Sequence, residues 1–311
     1  MDDAGSALLL KQLIALGFES RLEEDAAVRT IRLDRPCNQG SNGVFRHIIQ
    51  LSDGEMLRLV EKRSTSSREA YFYTCIYPKI RDSLPSLTPK LLGVGHQDSG
   101  TMHLFVEAGL RVSHGYSLSM ADRVAELMSW VARFPPDNLK KLHGSSDLPK
   151  NSKILDYCYA ARGLSAEFQL GENLIGEMEA RRETITNVVS QLGFCVQHGD
   201  FYWDNMVVLH KHGMDRVMLI DWGNLAIRRV GFDIHNFLSF DDAGSIENID
   251  FVRTIAERFL QKSGMPGTPE ALIVSGTVSR MNWALSHFLR SGREKFASTF
   301  CRSFKAVLRA C

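Results

Sequence analysis

The sequence lacks the features of several large classes of protein. Its 311 residues contain no apolar run approaching the roughly 20 residues of a membrane span. The N-terminal segment carries acids where a secretory signal peptide carries bases, which argues against secretion. The net charge of +1 lacks the basic excess of nucleic-acid-binding proteins. We therefore expect a cytoplasmic globular protein with no membrane or nucleic-acid partner, and no protein partner can be inferred.

Several signatures of metal and nucleotide binding are also missing. The six cysteines form no CxxC pair and show no metal-ligand spacing, so we interpret them as reduced thiols. The sequence has neither GxGxxG nor the Walker pattern GxxxxGK followed by Ser or Thr, which excludes a P-loop NTPase. The composition, 44% hydrophobic and 23% charged, suits one large domain or two smaller ones.

The hydrophobic pattern changes near Ser113. Before this residue, runs rich in Val, Ile and Leu predict strands, joined in one place by an Asp-Gly hairpin signal. After it, helical spacing dominates. The predicted strands are VRTIRL, GVFRHIIQL, EMLRLVEK, TMHLFVE, and the hairpin NMVVLH with DRVMLID; the predicted helices are 6–17, 66–81, 119–134 with Ser119 as its N-cap, 153–162, 166–192, 245–263, 268–290 and 292–309. We therefore expect an α+β fold, with a β-rich N-terminal lobe at 1–108 and a mainly helical C-terminal lobe at 109–311.

Two short motifs carry oxygen-bearing side chains. HGDFYWDN holds Asp200 and Asn205, and fifteen residues after that Asn comes IDWG, where Asp221 ends a predicted strand. Carboxylate and amide oxygens are the ligands that Mg²⁺ takes, and Mg²⁺ in turn neutralises phosphate. The alternative is that both motifs only cap polar turns. The five-residue step from Asp200 to Asn205 is also the spacing between the base and the metal-binding Asn of protein-kinase catalytic loops.

HGDxxxxN followed by IDW resembles the aminoglycoside phosphotransferase and choline kinase-like family, small-molecule relatives of the protein kinases. The resemblance extends over roughly residues 28–240 and is strongest at 197–237. It implies a two-lobed protein-kinase-like fold in which Asp200 is the catalytic base, while Asn205 and Asp221 bind Mg²⁺. The resemblance also implies that His198 orders the catalytic loop and that Asp233 braces the site without reacting.

The resemblance further implies a nucleotide site in the N-terminal lobe. Gly40, Ser41, Asn42 and Gly43 precede a strand and would form a phosphate-binding loop, although a plain turn is the alternative. Lys62 would bind the α- and β-phosphates, where the alternative is a solvated lysine at a strand end. This order of loop, strand, turn, strand and lysine is the kinase order.

Two further nucleotide assignments follow from the same resemblance. Glu69 is either the carboxylate partner of Lys62 or the last residue of a capping box that begins at Ser66. The segment after the strand TMHLFVE would be the hinge, whose backbone binds the adenine. The hinge residues are Phe105, Val106, Glu107 and Ala108.

The acceptor is expected to be a small molecule, because no APE motif or long activation segment follows Asp221. Asp241 and Asp242 begin an acidic stretch that suits a polycationic aminoglycoside. Against this, ten Lys or Arg and three acids follow from Arg253 onward, which favours a neutral or anionic alcohol. Tyr202 and Trp203 either stack on the acceptor or belong to the core.

The sequence thus predicts an O-phosphotransferase that uses ATP or GTP with Mg²⁺ and phosphorylates a hydroxyl of an aminoglycoside, sugar or amino alcohol. Two other readings remain open. One is a nucleotide-binding pseudokinase without chemistry, and the other is a helical interaction scaffold.

Overall fold

The computed structural model describes residues 11, 14, 28–32, 41–50, 54, 56–96, 102–113, 115–134, 151–168, 170–211 and 214–310. Gly40 lies outside the described residues. So does the predicted helix at 6–17, except for residues 11 and 14. The chain forms two compact units. The first unit contains the described residues up to Val112 together with Asp204–Gly223, and the second contains the described residues of 113–203 and 224–311. The lobe boundary after residue 108 stays a prediction.

A five-stranded antiparallel sheet forms most of the first unit. Its strands are β1 (Val28–Arg32), β2 (Ser41–Gln50), β3 (Met56–Ser64), β4 (Leu91–His96) and β5 (Met102–Glu107), in the order β1-β2-β3-β5-β4. Alternation along β2 and β3 buries Ile49 and Leu59 on one face. Four of these strands were predicted. The glycine-rich β4 was not, because LLGVGH contains two glycines and only one β-branched residue, Val94.

The helical segment that follows β3 lies where the sequence predicts it, at 66–81. It consists of α1 (Ser67–Tyr71), a π-helical turn (Phe72–Ile76) and α2 (Tyr77–Ile80). Phe72 stacks on Trp222 with ring centroids 3.9 Å apart, and both rings are fully buried. This contact fixes the helical segment against the residue that directly follows Asp221.

A three-stranded sheet completes the first unit. It contains β6 (Leu110–Arg111), β8 (Met206–Lys211) and β9 (Met214–Leu219), in the order β6-β8-β9. The predicted hairpin is confirmed, since Met206 pairs with Leu219 and Lys211 with Met214. The hairpin therefore brings the residues before β8 and after β9 to the same end.

The second unit is mainly helical, as predicted. Its elements are α3 (Leu118–Ala132), α4 (Asn151–Phe168), α5 (Glu172–Ser190), β7 (Phe194–Gln197), β10 (Ala226–Arg229), α6 (Ile249–Ser263), α7 (Pro269–Ser291) and α8 (Glu294–Ala310). The predicted single helix at 166–192 was wrong, because α4 ends at Phe168 and α5 begins after the extended residue Gly171. A shared apolar core from α4, α5, α7 and α8 includes Ile175, Met281 and Phe300, each fully buried.

The predicted N-cap of α3 was also wrong. Ser117, rather than Ser119, has the extended backbone of an N-cap, and its hydroxyl accepts a hydrogen bond from the N–H of Met120. Ser119 already lies within the helix, and its hydroxyl lies 3.1 Å from the hydroxyl of Ser117. None of the described helices combines the length and apolarity needed to cross a bilayer.

Candidate active site

The hairpin β8–β9 places Asn205 and Asp221 at one end of the first unit. The N–H of Ile220 donates to the carbonyl oxygen of Asn205 at 2.9 Å, which continues the strand pairing by one step. Asp221 then follows in the left-handed backbone region, with φ of 65°. Non-glycine residues adopt this region rarely, and Asp is among those that tolerate it. The strained turn redirects the chain where the strand ends.

Lys62 connects this turn to the β-sheet. Its Nζ lies 2.7 Å from Oδ1 of Asp221 and 2.9 Å from the carboxylate of Glu69. All three groups belong to the first unit. The sequence motifs that were far apart in the chain therefore meet at one amino group.

The structure distinguishes the two alternatives for Glu69. The hydroxyl of Ser66 accepts from the N–H of Glu69 at 3.4 Å, so half of the capping box forms. The other half does not, because the N–H of Ser66 donates to Oγ of Ser64 and the Glu69 side chain reaches Lys62. Glu69 is 1% exposed, and a carboxylate buried to that extent requires a cationic partner.

The charge state of Lys62 follows from opposing effects. Burial favours the neutral amine, but the carboxylates of Glu69 and Asp221 outweigh it, so the pKa of Lys62 lies above its usual value. The ammonium group is therefore charged at neutral pH. A charged group beside a cavity is well suited to bind phosphate oxygens.

A cavity of about 530 Å³ lies beside these groups within the first unit. Lys62, Glu69, Asn205 and Asp221 line its polar end. Its apolar lining includes Val44, Val60, Leu104, Val106, Val207 and Ile220. A volume of this size, apolar with a few convergent polar groups, is typical of a cofactor site.

Arg46 is a lining residue that the sequence reasoning missed. It lies on β2 two positions after Val44, so strand alternation places both side chains on the same face. Its Nη2 donates to the carbonyl oxygen of Gly109 at 3.4 Å. Side chains alternate between the two faces of a strand, so Arg46 lies on the same face as Val44. The sequence would have indicated Arg46 if Val44 had been taken as a lining residue.

The predicted phosphate loop is only partly described. Ser41 and Gly43 lie in the β2–β3 ladder, with an irregularity between them that leaves Asn42 without a pairing partner in the register. Gly43 has φ of 136°, and an added Cβ would lie 2.5 Å from the ring of Phe45. Only glycine fits there. Val44 is the first residue of this segment to line the cavity.

The predicted hinge lies along the end of β5. Val106 and Glu107 line the cavity, and Phe105 pairs with Glu61 and Gly93 in the sheet. The N–H of Glu107 donates to the carbonyl oxygen of Lys90, and the N–H of Ala108 donates to the carbonyl oxygen of Arg58. Both amides are therefore already hydrogen-bonded to backbone. Base recognition by the hinge backbone stays a prediction.

The loop that carries Asp200 belongs to the second unit and is held by Asp233. The two carboxylate oxygens of Asp233 accept from the N–H groups of His198 and Gly199, each at 2.8 Å. His198 is fully buried, with its ring 5.9 Å from that of Phe201. Asp200 itself is half-buried. Asp233 thus holds the loop through two N–H groups, and the ordering role of His198 stays a prediction.

Gly199 allows this loop to form. Its φ is 82°, and an added Cβ would lie 2.1 Å from the carbonyl oxygen of Asn224. No side chain fits at that distance. Burial raises the pKa of Asp233 to about 6, against the lowering effect of the two loop N–H groups.

Trp203 is not available for stacking on a ligand, which corrects one of the two interpretations left open for it. The indole is 1% exposed and lies among Tyr116, Phe237 and Phe251, with centroid distances of 5.3–6.0 Å. Core packing therefore accounts for Trp203. Tyr202 differs, since it is half-buried and contacts Arg280 electrostatically.

Asp241 and Asp242 both have polar partners within the second unit. Oδ1 of Asp241 accepts from the N–H of Ser245 at 2.7 Å inside a turn. Asp242 pairs with Arg302 of α8 at 2.6 Å, and its carbonyl oxygen accepts from Lys305. α8 thus supplies a cationic partner to Asp242, and the binding of an acceptor by these two acids stays a prediction.

The polar end of the cavity fits Mg²⁺ only as part of a metal–nucleotide complex. Among the described residues, no group of three His, Cys, Asp or Glu could hold a metal ion. Asn205 and Asp221 both line the cavity, and two side-chain oxygens would suit Mg²⁺ that is bound through one or two side chains plus phosphates and water. The donor set thus agrees with a phosphate-dependent site.

Comparisons with known proteins agree with this geometry. The family model described as "Phosphotransferase enzyme family" matches residues 57–271. No curated protein sequence matches the chain. Similar solved structures include the GDP and kanamycin complex of APH(2")-IIia (15% identity, TM-score 0.57, 96% of this chain and 97% of that one), macrolide 2'-phosphotransferase MphH from Brachybacterium faecium (12%, 0.51, 94% and 97%) and the microcompartment-associated aminopropanol kinase (12%, 0.55, 94% and 94%). These likenesses show a protein-kinase-like fold.

Proposed function

Because the chain belongs to the phosphotransferase enzyme family, we propose that it transfers the γ-phosphoryl group of ATP or GTP to a hydroxyl of a small molecule. The family and the fold make it a small-molecule phosphotransferase. The identity of the donor, of the acceptor and of the catalytic residues forms the proposal. Neighbouring structures hold GDP or ADP, which supports a nucleotide donor.

The observation that carries the proposal is the contact of Lys62 with both Glu69 and Asp221 at the polar end of the cavity. In phosphoryl transfer the enzyme positions its reactants and stabilises charge, and such a lysine would bind nucleotide phosphates. Glu69 would orient the ammonium group. Asp221 would exchange its contact with Lys62 for Mg²⁺, with Asn205 as the second ligand.

The remaining groups would act on the acceptor. Asp200 would accept the hydroxyl proton as the acceptor oxygen bonds to the γ-phosphorus and the bond to the β–γ bridging oxygen breaks. Asp233 would hold the loop of Asp200 through its two N–H hydrogen bonds. Bound Mg²⁺ would neutralise the negative charge on the phosphates.

A small acceptor is favoured over a protein substrate. The chain between Asp221 and Asp233 is occupied by a 3-10 turn (Trp222–Asn224) and by β10, which pairs with β7. It therefore lacks an extended segment that could bind a peptide. The aminoglycoside, macrolide and aminopropanol kinases among the neighbours support a small hydroxyl compound.

The test compares Asp200→Asn with wild type in nucleotide binding and in acceptor-dependent release of nucleoside diphosphate. We expect binding to persist while turnover falls by about a hundredfold or more, which is the usual contribution of a general base. Asp215→Asn, a change at an exposed residue of the β8–β9 hairpin, is the control and should behave as wild type. Undiminished turnover in Asp200→Asn would remove Asp200 from the role of base.

A further inference from the structure

Arg280 lies on the second unit near the loop that carries Asp200. On α7, Gly276 packs closely against the turn Phe232–Phe237. A Cβ added to Gly276 would lie 3.1 Å from the side chain of Ile234. Arg280 is four residues further and so projects from the same face of the helix. It also contacts Tyr202 electrostatically, two residues from Asp200.

The guanidinium of Arg280 has no acidic counterpart among the residues that the structure describes. No carboxylate lies within ion-pair distance, and Nε is buried without a hydrogen-bond partner. Its guanidinium carbon lies 4.3 Å from the centroid of the Trp283 ring. Burial lowers the pKa of Arg280. Arg280 is half-buried, and a cation partly removed from water without an anion is costly, so such a group is best explained by a ligand that supplies the anion.

Two neighbouring features favour the same ligand. Asn236, in the turn that packs against α7, has a buried Nδ2 with no hydrogen-bond partner among the described residues. Arg228 places its guanidinium carbon 4.2 Å from the ring of Phe232 and, like Arg280, contributes positive potential at His235. The acid of this turn, Asp233, already accepts hydrogen bonds from the N–H groups of His198 and Gly199. The region thus presents donors and positive charge.

We propose that the acceptor carries an anionic group, a carboxylate or a phosphate ester, which Arg280 binds while the acceptor hydroxyl meets Asp200. The proposal rests on the proposed function. Arginine binds both groups through two parallel N–H hydrogen bonds, which fixes the orientation of the acceptor. A polycation such as an aminoglycoside would be repelled. The anionic group is unchanged in the reaction: only the hydroxyl oxygen bonds to the γ-phosphorus, and its proton passes to Asp200.

The first arm of the test needs no nucleotide and uses inorganic sulfate as the probe. Tryptophan fluorescence is titrated with sulfate at constant ionic strength, since the ring of Trp283 contacts Arg280. All variants carry Lys62→Ala, so that the other candidate anion site cannot respond. We expect a saturable response that Arg280→Gln weakens by about tenfold or more, the usual effect of losing a charged hydrogen-bond donor.

Three variants assign this response. Arg280→Lys should retain part of it, because the charge remains while the paired donors are lost. Trp283→Phe should abolish the signal. Arg290→Gln, an exposed arginine on the same helix, should leave it unchanged. Thermal melting of each variant establishes that it is folded. An absent response with Lys62→Ala alone, or an equal response in folded Arg280→Gln, would overturn the anion site.

The second arm measures turnover with four acceptors in otherwise wild-type protein. Glycerate, glycerol 3-phosphate, glycerol and kanamycin represent a carboxylate, a phosphate ester, a neutral alcohol and a polycation. We expect one of the two anions to exceed glycerol in kcat/KM, and Arg280→Gln to remove that advantage mainly through KM. The preferred anion distinguishes carboxylate from phosphate ester.

The two arms separate the two proposals. Kanamycin preferred over both anions, with turnover unaffected or improved in Arg280→Gln, would overturn the anionic acceptor and leave the phosphotransferase intact. Glycerol equal to both anions would overturn it too. If no acceptor supports turnover with either nucleotide, the proposed function fails, and the acceptor assignment that rests on it fails with it. The sulfate titration then still decides whether Arg280 binds an anion.

Discussion

The buried imidazole of His235 predicts a stability that depends on pH in a defined direction. His235 is 2% exposed, and its Nδ1 lies 2.6 Å from the carbonyl oxygen of Phe232. Burial lowers the pKa of His235 from 6.5 to about 3, with Arg280 and Arg228 adding to the effect and the hydrogen bond opposing it. Below pH 6.5 the unfolded chain therefore binds a proton that the folded state excludes. Its contribution to stability is present above pH 6.5 and is lost as the pH falls.

The size of the effect follows from the shift. Between pH 7 and pH 5, His235 should remove about 2 kcal/mol from the free energy of unfolding, since one pKa unit corresponds to about 1.4 kcal/mol. Asp233 acts in the opposite direction. Burial raises its pKa from 3.8 to about 6, so over the same interval it should add about 1 kcal/mol. These two residues of one turn largely offset each other in the wild type.

Urea unfolding at pH 7 and pH 5 tests this reasoning with His235→Gln. Between pH 7 and pH 5, the free energy of unfolding of the variant should rise by about 2 kcal/mol relative to that of wild type, whatever its value at pH 7. His210→Gln is the control, because His210 is 70% exposed on the β8–β9 hairpin. If wild type and His235→Gln show the same difference between the two pH values, His235 is not the buried neutral group described above.

Three further outcomes are expected. Gly199→Ala should abolish turnover, because its Cβ would lie 2.1 Å from the carbonyl oxygen of Asn224; wild-type kcat would contradict the loop geometry. Glu69→Gln should weaken nucleotide binding by about tenfold, since Lys62 loses a buried charged partner; calorimetric titration measures this, and equal affinity would refute it. Trp203→Ala should lower the free energy of unfolding by about 3–5 kcal/mol as a core truncation, and a loss below 1 kcal/mol in urea unfolding would count against its burial.

Much of the candidate site was predictable because local rules position it. Asn205 and Ile220 lie at the two ends of the β8–β9 hairpin, and antiparallel pairing returns the chain to its starting end. Lys62 lies near the end of β3, a strand whose apolar alternation is visible in the sequence. The helix that carries Glu69 begins at a recognisable capping serine. Each assignment depends on contacts within a short segment or on one well-defined turn.

The remaining features depend on contacts between distant segments. Asp242 looks like a free acid in the sequence, but Arg302, sixty residues later, neutralises it. Trp203 lies in a polar motif that suggests exposure, yet it is buried because Tyr116 and Phe251 pack against it. Arg280 appears as one more charge on an amphipathic helix. Only the packing of α7 against the turn Phe232–Phe237 shows that it is half-buried with no acidic partner among the described residues.

The central claim is that the cavity of the first unit binds a nucleotide together with Mg²⁺. It is tested most directly by thermal melting with ATP or GTP, each with and without Mg²⁺. Asp221→Asn keeps the shape and the left-handed backbone of Asp221 but removes the charged metal ligand. We predict a Mg²⁺-dependent rise in Tm for wild type and for Asp215→Asn that is lost in Asp221→Asn. No rise in wild type at millimolar nucleotide, or the same rise in Asp221→Asn, would contradict the claim.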